Sequence, residues 1–250
     1  MKKNNKLIIL ILIFLLILSI SFIIYTKYTN VLKPSKNIEE KVNSQEPDKT
    51  ETEKKEEKIE LKENQTLTKK GYILEENDGV YSIDGIIIAN KTYSIPQSYG
   101  NGLTKEFTEA FNKMQVAAKE DNIDIKIISG YRSYNTQVST YNHWTSKYGK
   151  EEADKISARP GHSEHQLGLA ADINSLYTSF KDTKEGIWLN NNAYKYGFIL
   201  RYPESKTGET GYSFEPWHYR YVGTSLAEKL YNNGDWITLE DYYGITSKYE

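Results

Sequence analysis

The chain has 250 residues, a formal net charge of -2 at pH 7 and no cysteine. Because basic residues are not in excess, the composition argues against nucleic acid as a partner. The lack of cysteine excludes disulfides, thiolate nucleophiles and Cys-ligated zinc, so any metal must bind to His, Asp or Glu.

The N-terminus combines lysines with a long apolar run. Lys2, Lys3 and Lys6 precede an apolar segment over residues 7–25, which as a helix would reach about 28 Å, close to the hydrocarbon thickness of a bilayer. No small-x-small cleavage pattern follows, which favours a retained single-pass signal anchor over residues 1–27 rather than a cleaved signal peptide. The lysines favour a cytoplasmic N-terminus, so the rest of the chain is expected outside the membrane.

Residues 28–70 are predicted to be a charged extracytoplasmic linker. Lysine and glutamate dominate this stretch, as in the segment Glu51–Lys58, and it contains few apolar residues to bury. Such a composition is typical of disordered chain, although a solvated single helix with i,i+4 ion pairs is the alternative. In both cases the segment would act as a spacer.

Residues 71–250 are predicted to form one domain, which we expect to be monomeric. The apolar spacing and the turn residues predict, in chain order, a hairpin over 80–88, a helix over 104–120, a strand over 125–128, helices over 134–148 and 186–196, strands over 198–202 and 217–222, and a helix over 225–232. Helices and strands mix without regular βαβ alternation. This order predicts an α+β fold with a mostly antiparallel sheet and flanking helices.

Two short motifs far apart in the chain carry candidate metal ligands. His165 and Asp172 lie seven residues apart, and His218 follows more than forty residues later. Two nitrogens and one oxygen suit Zn²⁺, and three protein ligands leave the fourth tetrahedral position open to water, as in catalytic zinc sites. Regular structure would separate the Cα atoms of His165 and Asp172 by roughly 10 Å in a helix or 23 Å in a strand. The backbone must therefore bend, which Gly161 and Gly168 permit.

A carboxylate near the distant histidine supplies a further group that hydrolysis requires. Water bound to zinc has its pKa lowered to about 7, and Glu215 is placed three residues before His218 to accept its proton and pass it to the leaving amine. Taken alone, each histidine would be interpreted as an ordinary side chain; together the motifs favour one zinc ion per chain. His162 is expected beside the site but not on the metal, since a fourth protein ligand would close it. His143 is expected to have no role.

These motifs resemble those of a known group of enzymes. The pattern Ser-x-His-x-x-Gly-x-Ala-x-Asp over 163–172, followed by Glu-x-x-His over 215–218, is similar to that of the zinc metallopeptidases that group lysostaphin-type enzymes, D-Ala-D-Ala peptidases and the hedgehog fold. The segments 129–137 (SGYRSYNTQ) and 159–169 (RPGHSEHQLGL) resemble the VanY-type D-alanyl-D-alanine carboxypeptidases in particular. The resemblance covers roughly residues 72–240.

The resemblance implies roles for individual residues. The zinc ligands would be His165, Asp172 and His218, and Glu215 would be the catalytic base. Arg132 falls on the family's motif arginine, which would stabilise the oxyanion or bind a terminal carboxylate. The resemblance also implies that Gln137 and Ser163 contact the substrate terminus. Three aromatic residues could each line the groove or belong to the core: Tyr202, Trp188 and Trp217.

The implied reaction is zinc-dependent removal of the C-terminal D-alanine from peptidoglycan stem peptides. The alternatives are an L,D-carboxypeptidase that trims tetrapeptide stems and a non-catalytic, zinc-stabilised wall-binding module. Serine peptidases that cleave the same substrate contain a Ser-x-x-Lys motif and a later Lys-Thr-Gly motif. Lys206–Gly208 matches the second motif, but the chain contains no Ser-x-x-Lys, which argues against that class.

Overall fold

The structure is a computed structural model that describes residues 60–250. The predicted anchor over 1–27 and most of the predicted linker lie outside the described residues. Within residues 60–250, no helix is both long and apolar enough to cross a membrane. The described residues form two antiparallel four-stranded sheets with helices packed around them.

The first sheet is a meander close to the start of the described residues. Its strands are β1 (Gln65–Leu67), β2 (Ile73–Asn77), β3 (Val80–Ile83) and β4 (Ile86–Ile88), in the order β1-β2-β3-β4. The turn between β3 and β4 places Asp84 and Gly85 at positive φ, as two-residue hairpins require, and this is the hairpin predicted over 80–88. Strand β1 lies inside the predicted linker, so regular structure begins before the predicted domain boundary at Gly71.

The second sheet carries the candidate site. Its strands are β5 (Ile127–Ser129), β6 (Ala170–Ile173), β7 (Phe198–Leu200) and β8 (His218–Tyr221), in the order β5-β6-β8-β7. All three pairings are antiparallel, which confirms the predicted fold class. Strands β6 and β8 are the two central ones, and a central position fixes side chains more firmly than an edge because the backbone is hydrogen-bonded on both sides.

The helices flank these sheets. They are α1 (Lys105–Glu120), α2 (Tyr134–Tyr148), α3 (Lys150–Ile156), α4 (Lys184–Asn192), α5 (Thr207–Thr210), α6 (Thr224–Tyr231) and α7 (Leu239–Tyr243), with 3₁₀ turns at Glu164–Leu167, Thr178–Asp182, Ala193–Tyr196 and Asn232–Gly234. The predicted helix over 186–196 is α4 followed by a 3₁₀ turn. Helix α3 was not predicted, because its sequence is mostly charged and only seven residues long.

The core lies between α1 and the second sheet. Phe107 and Phe111 of α1 are buried, and both pack edge-to-face against Phe198 of β7, with ring centroids 5.2 and 6.4 Å apart. Burial of each such side chain contributes roughly 1.5–3 kcal/mol. Ala171 and Ile173 of β6 belong to the same core. Since side chains alternate along a strand, the residue between them must point to the opposite face.

Candidate active site

Strand register places the first two candidate ligands side by side. Asp172 lies between the core residues Ala171 and Ile173, so its carboxylate is directed to the face opposite the core. On β8, His218 lies directly opposite Asp172 in the antiparallel ladder, and the next residue, Tyr219, points into the core. The imidazole Nδ1 of His218 is 3.1 Å from Oδ1 of Asp172.

The third candidate ligand comes from the turn that precedes β6. His165 lies in the 3₁₀ turn Glu164–Leu167, which ends at Gly168 in the left-handed conformation with φ 70°. A Cβ atom at Gly168 would lie 2.1 Å from the carbonyl oxygen of Gly102, so only glycine fits there. This turn is the bend that the spacing of His165 and Asp172 predicted.

Hydrogen bonding fixes which nitrogen of His165 is available to a metal. Nδ1 lies 2.7 Å from the carbonyl oxygen of Gly130, so a proton on Nδ1 donates to that oxygen. This leaves the unprotonated Nε2, which is 3.4 Å from Oδ2 of Asp172. A backbone carbonyl that orients the distal nitrogen is the usual arrangement at a metal-binding histidine.

The three side chains fit a zinc ion. They are buried, and one ligand atom of each lies within 4.8 Å of the other two. Burial alone would raise the pKa of Asp172, but the neighbouring imidazoles of His165 and His218 hold it well below its usual range, so the carboxylate is ionised. Two imidazoles and one carboxylate are a ligand set of catalytic zinc. All three residues line one cavity of about 590 Å³, which would leave the fourth coordination position accessible.

Glu215 lies beside this group. Its Oε2 is 3.8 Å from Nδ1 of His218. Burial raises the pKa of Glu215 to about 8, despite the opposing positive charge of His218, and the negative charge of Asp172 adds to the rise. A divalent cation would favour the charged form of this carboxylate. Glu215 is therefore placed, and electrostatically poised, to exchange a proton near the metal.

Arg132 is oriented by two hydrogen bonds from its guanidinium. Nη1 donates to Oε1 of Gln137 at 2.9 Å, and Nη2 donates to Oγ of Ser129 at 3.0 Å. Nη2 is also 3.8 Å from Oδ2 of Asp172, and the side chain lines the cavity. The planar group is thus held at the edge of the metal site, where it can donate to an anionic oxygen.

Gln137 does not lie where it could contact a substrate. It is fully buried, and its Nε2 donates to Oγ of Ser157 and to the carbonyl oxygen of Ala158 while its Oε1 accepts from Arg132. The side chain does not line the cavity, so it offers no surface to a substrate. The structure corrects the expectation of a substrate contact: Gln137 orients Arg132 instead.

Three of the other candidate substrate contacts do line the cavity. Ser163, Tyr202 and Trp217 all contribute to its wall. The ring of Tyr202 lies 4.9 Å from the imidazole of His218, so it packs against a candidate ligand while it lines the cavity. A side chain in this position restricts the rotation of the imidazole.

The remaining candidates lie away from the cavity. Trp188 belongs to the core, and its Nε1 donates to Oδ2 of Asp121. His162 contacts the carbonyl oxygen of Asn90 through Nδ1 at 2.7 Å and does not line the cavity that contains the candidate ligands. His143 is exposed on α2.

A buried charge cluster lies behind His218 and was missed in the sequence. Glu164 accepts from Nε of Arg201 at 2.8 Å and is 3.3 Å from Nη1 of Arg220. Arg201 in turn makes a two-pronged pair with Glu240 of α7, with bonds of 2.7 and 2.8 Å. Two arginines and two glutamates are all nearly inaccessible to solvent here, and their charges balance, which buried ions require.

This cluster places a charged carboxylate beside His218. Burial would raise the pKa of Glu164, but the charges of Arg201 and Arg220 hold it well below its usual range. Its Oε2, which makes no hydrogen bond within the described residues, is 3.5 Å from Nε2 of His218. Burial would lower the pKa of His218, but Asp172 and then Glu164 raise it to about 9, so both nitrogens carry a proton. A metal that binds Nδ1 would displace the proton there, while the proton on Nε2 donates toward Glu164.

Replacement of Glu164 by glutamine is expected to weaken zinc binding roughly 10- to 100-fold, as is usual when the orienting partner of a ligand is changed. The glutamine oxygen can still accept from Arg201, which turns its amide N–H toward Nε2 of His218. That contact favours the tautomer with the proton on Nδ1, which blocks the metal. Competition with a fluorescent zinc chelator measures the affinity, and Glu228→Gln on the exposed face of α6 is the matched control. Equal affinities of Glu164→Gln and its control would contradict the role of this carboxylate.

Comparison with known proteins assigns the chain to a family. The profile of the VanY family, described as D-alanyl-D-alanine carboxypeptidase, matches residues 100–224. YodJ of Bacillus subtilis (strain 168), named a carboxypeptidase only provisionally, is 38% identical over 189 residues, which cover 73% of this chain and 67% of YodJ.

Two solved structures are similar over nearly their whole lengths. The L,D-carboxypeptidase DacB from Streptococcus pneumoniae has 38% identity and a TM-score of 0.63, and the match covers 71% of this chain and 98% of DacB. The D,D-pentapeptidase VanY from the VanB-type vancomycin resistance cassette, solved with Zn(II), has 36% identity and a TM-score of 0.55. The match covers 62% of this chain and 97% of VanY. The chain therefore belongs to the VanY family of D-alanyl-D-alanine carboxypeptidases and is a zinc peptidase.

Proposed function

We propose that this enzyme removes the C-terminal D-alanine from peptidoglycan stem peptides, with His165, Asp172 and His218 as the zinc ligands. The observation that carries the proposal is the single cavity in which these three side chains meet Glu215 and Arg132. A carboxylate of raised pKa and a fixed guanidinium beside a metal site are the groups that hydrolysis of a peptide bond requires.

Each group has one task in the reaction. The zinc ion, when bound, lowers the pKa of water and polarises the scissile carbonyl. Glu215 accepts the proton of the attacking water and delivers it to the leaving amine of D-alanine. Arg132, held by Ser129 and Gln137, donates to the oxyanion or to the terminal carboxylate. No residue of the chain forms a covalent bond to the substrate in this scheme.

Cleavage of the D,D-bond in pentapeptide stems is the primary proposal, because the family profile is that of D-alanyl-D-alanine carboxypeptidases. The second candidate is L,D-cleavage of tetrapeptide stems. It is supported by the likeness to DacB, an L,D-carboxypeptidase that is matched with a higher TM-score than the D,D-pentapeptidase. Both reactions release D-alanine with a free carboxylate, so the same catalytic groups serve either bond.

Mass spectrometry of muropeptides distinguishes the two bonds. The purified full chain is incubated with zinc and with either pentapeptide or tetrapeptide muropeptides, and Glu215→Ala serves as the blank. Loss of one alanine from the pentapeptide is the expected result. Loss from the tetrapeptide alone would replace the D,D-proposal by the L,D-alternative. Binding of both muropeptides without cleavage of either would favour the non-catalytic wall-binding module.

We also propose that the enzyme acts outside the cytoplasmic membrane, tethered by residues 1–27 and spaced from the membrane by the charged linker that follows. The proposal rests on the lysines and the apolar run of the sequence. Intact mass measured on protein extracted from the membrane should correspond to the uncleaved chain. A mass that lacks the N-terminal segment would indicate a cleaved signal peptide instead.

A further inference from the structure

The cavity that contains the metal ligands has an apolar part, which we call the aromatic rim. It consists of Trp144 and Tyr148 on α2, Ile156 at the end of α3, and Leu176 and Tyr177 in the segment after β6. Of the nine exposed large apolar side chains among the described residues, four belong to this rim, and Tyr177 is 76% exposed. Apolar side chains gathered at one opening, rather than scattered, mark a surface that contacts a ligand.

Two rings of the rim form a stack. Trp144 and Tyr148 are one helical turn apart on α2, and their rings lie nearly parallel, with centroids 5.7 Å apart and an angle of 6° between them. The ammonium group of Lys147 lies 5.5 Å from the first ring and 4.9 Å from the second. The rim therefore offers flat apolar faces next to a positive charge.

The chemistry of the proposed substrate restricts what can cover this rim. Stem peptides consist of alanine, glutamate and a diamino acid, and none of these side chains carries a ring or a large apolar group. The sugars of the glycan strand are the ring-bearing part of peptidoglycan, and the C–H face of a sugar packs on the face of an aromatic ring. We infer that the aromatic rim binds a sugar of the glycan strand to which the stem peptide is attached. This inference rests on the proposed function and deepens it.

The distances are compatible with one substrate molecule that contacts both the metal site and the aromatic rim. Gln137, which holds Arg132 at the metal site, and Tyr148 are eleven residues apart on α2, which corresponds to about 16 Å. A five-residue stem in extended conformation spans at most roughly 16–18 Å. The charge is also complementary, because the ammonium of Lys147 can pair with the free carboxylate of the γ-linked glutamate in the stem.

The test compares two substrates on the same enzyme preparation. One is the disaccharide-pentapeptide, and the other is the same pentapeptide without sugar; release of D-alanine gives kcat/KM for each. The wild type is expected to prefer the sugar-bearing substrate by about tenfold, the size of one good stacking contact. In the double variant Trp144→Ala, Tyr148→Ala, the ratio of the two kcat/KM values should fall to about one. The ratio does not depend on the fraction of folded enzyme, because both values come from one preparation.

Val116→Ala on α1 is the control, since Val116 is exposed and does not line the cavity, and it should keep the wild-type ratio. Equal kcat/KM for the two substrates in the wild type, or an unchanged ratio in the double variant, would overturn the inference. If the wild type cleaved neither substrate, the proposed function would fail. Titration of the full chain with the disaccharide alone would then test whether the aromatic rim binds a sugar. Quenching of Trp fluorescence that is lost in Trp144→Phe supports sugar binding, and no quenching refutes it.

Discussion

Replacement of Glu215 by glutamine is expected to lower kcat for D-alanine release by about 10²- to 10⁴-fold, the usual contribution of a general base. Glutamine has the same shape as glutamate but cannot accept a proton from water. The three candidate ligands are unchanged, so the variant should still bind one zinc ion. Release of D-alanine and zinc content, measured on the same preparation, check the two parts of this prediction.

Glu228→Gln is the matched control for this substitution. Glu228 is exposed on α6, away from the cavity, and the same change there should leave kcat within a few fold of the wild type. A Glu215→Gln enzyme that retained wild-type kcat would show that another group accepts the proton. A variant that lost zinc along with activity would instead place Glu215 among the residues that hold the metal.

Replacement of Arg132 by lysine is expected to lower kcat/KM by about 10²- to 10³-fold, the effect of removing one donor to a developing oxyanion. Ser129 and Gln137 fix the guanidinium through two of its nitrogens, and a lysine ammonium cannot make both bonds and still face the cavity in the same geometry. Steady-state kinetics separate its two possible tasks. A loss confined to kcat indicates oxyanion stabilisation, whereas a rise in KM indicates binding of the terminal carboxylate.

Arg159→Lys provides the same chemical change outside the cavity. Arg159 also forms an ion pair, with Asp154 at 2.9 Å, but it does not line the cavity. Its kcat/KM should stay within a few fold of the wild-type value. If Arg132→Lys were no more harmful than Arg159→Lys, the guanidinium at the metal site would have no part in the reaction.

The fold could be predicted as far as local periodicity determines it. The helices over 104–120 and 134–148 were predicted to within a residue, because their apolar spacing and their capping residues Thr104 and Ser133 act locally. The pairing order of the strands is different, since it depends on contacts between distant segments. That Asp172 lies opposite His218 follows from the register of β6 and β8, which nothing local in either strand specifies.

The same distinction applies to the site. The candidate ligands and Glu215 could be identified because each lies in a short motif whose residue types match one chemistry. Glu164 was overlooked, although it lies inside the first motif, because its partner Arg201 is 37 residues away and Glu240 a further 39. An arginine within the otherwise apolar segment 198–202 was the available signal, since a buried arginine requires a buried carboxylate.

Removal and return of the metal tests the zinc mechanism most directly. The full chain is treated with a chelator, dialysed, and titrated with Zn²⁺ while release of D-alanine from pentapeptide muropeptides is followed. We predict that the chelated enzyme is inactive and that activity returns in proportion to added zinc up to one equivalent, whereas His218→Ala recovers none at that concentration. Undiminished cleavage by the metal-free chain would contradict the zinc mechanism, whatever bond is cut.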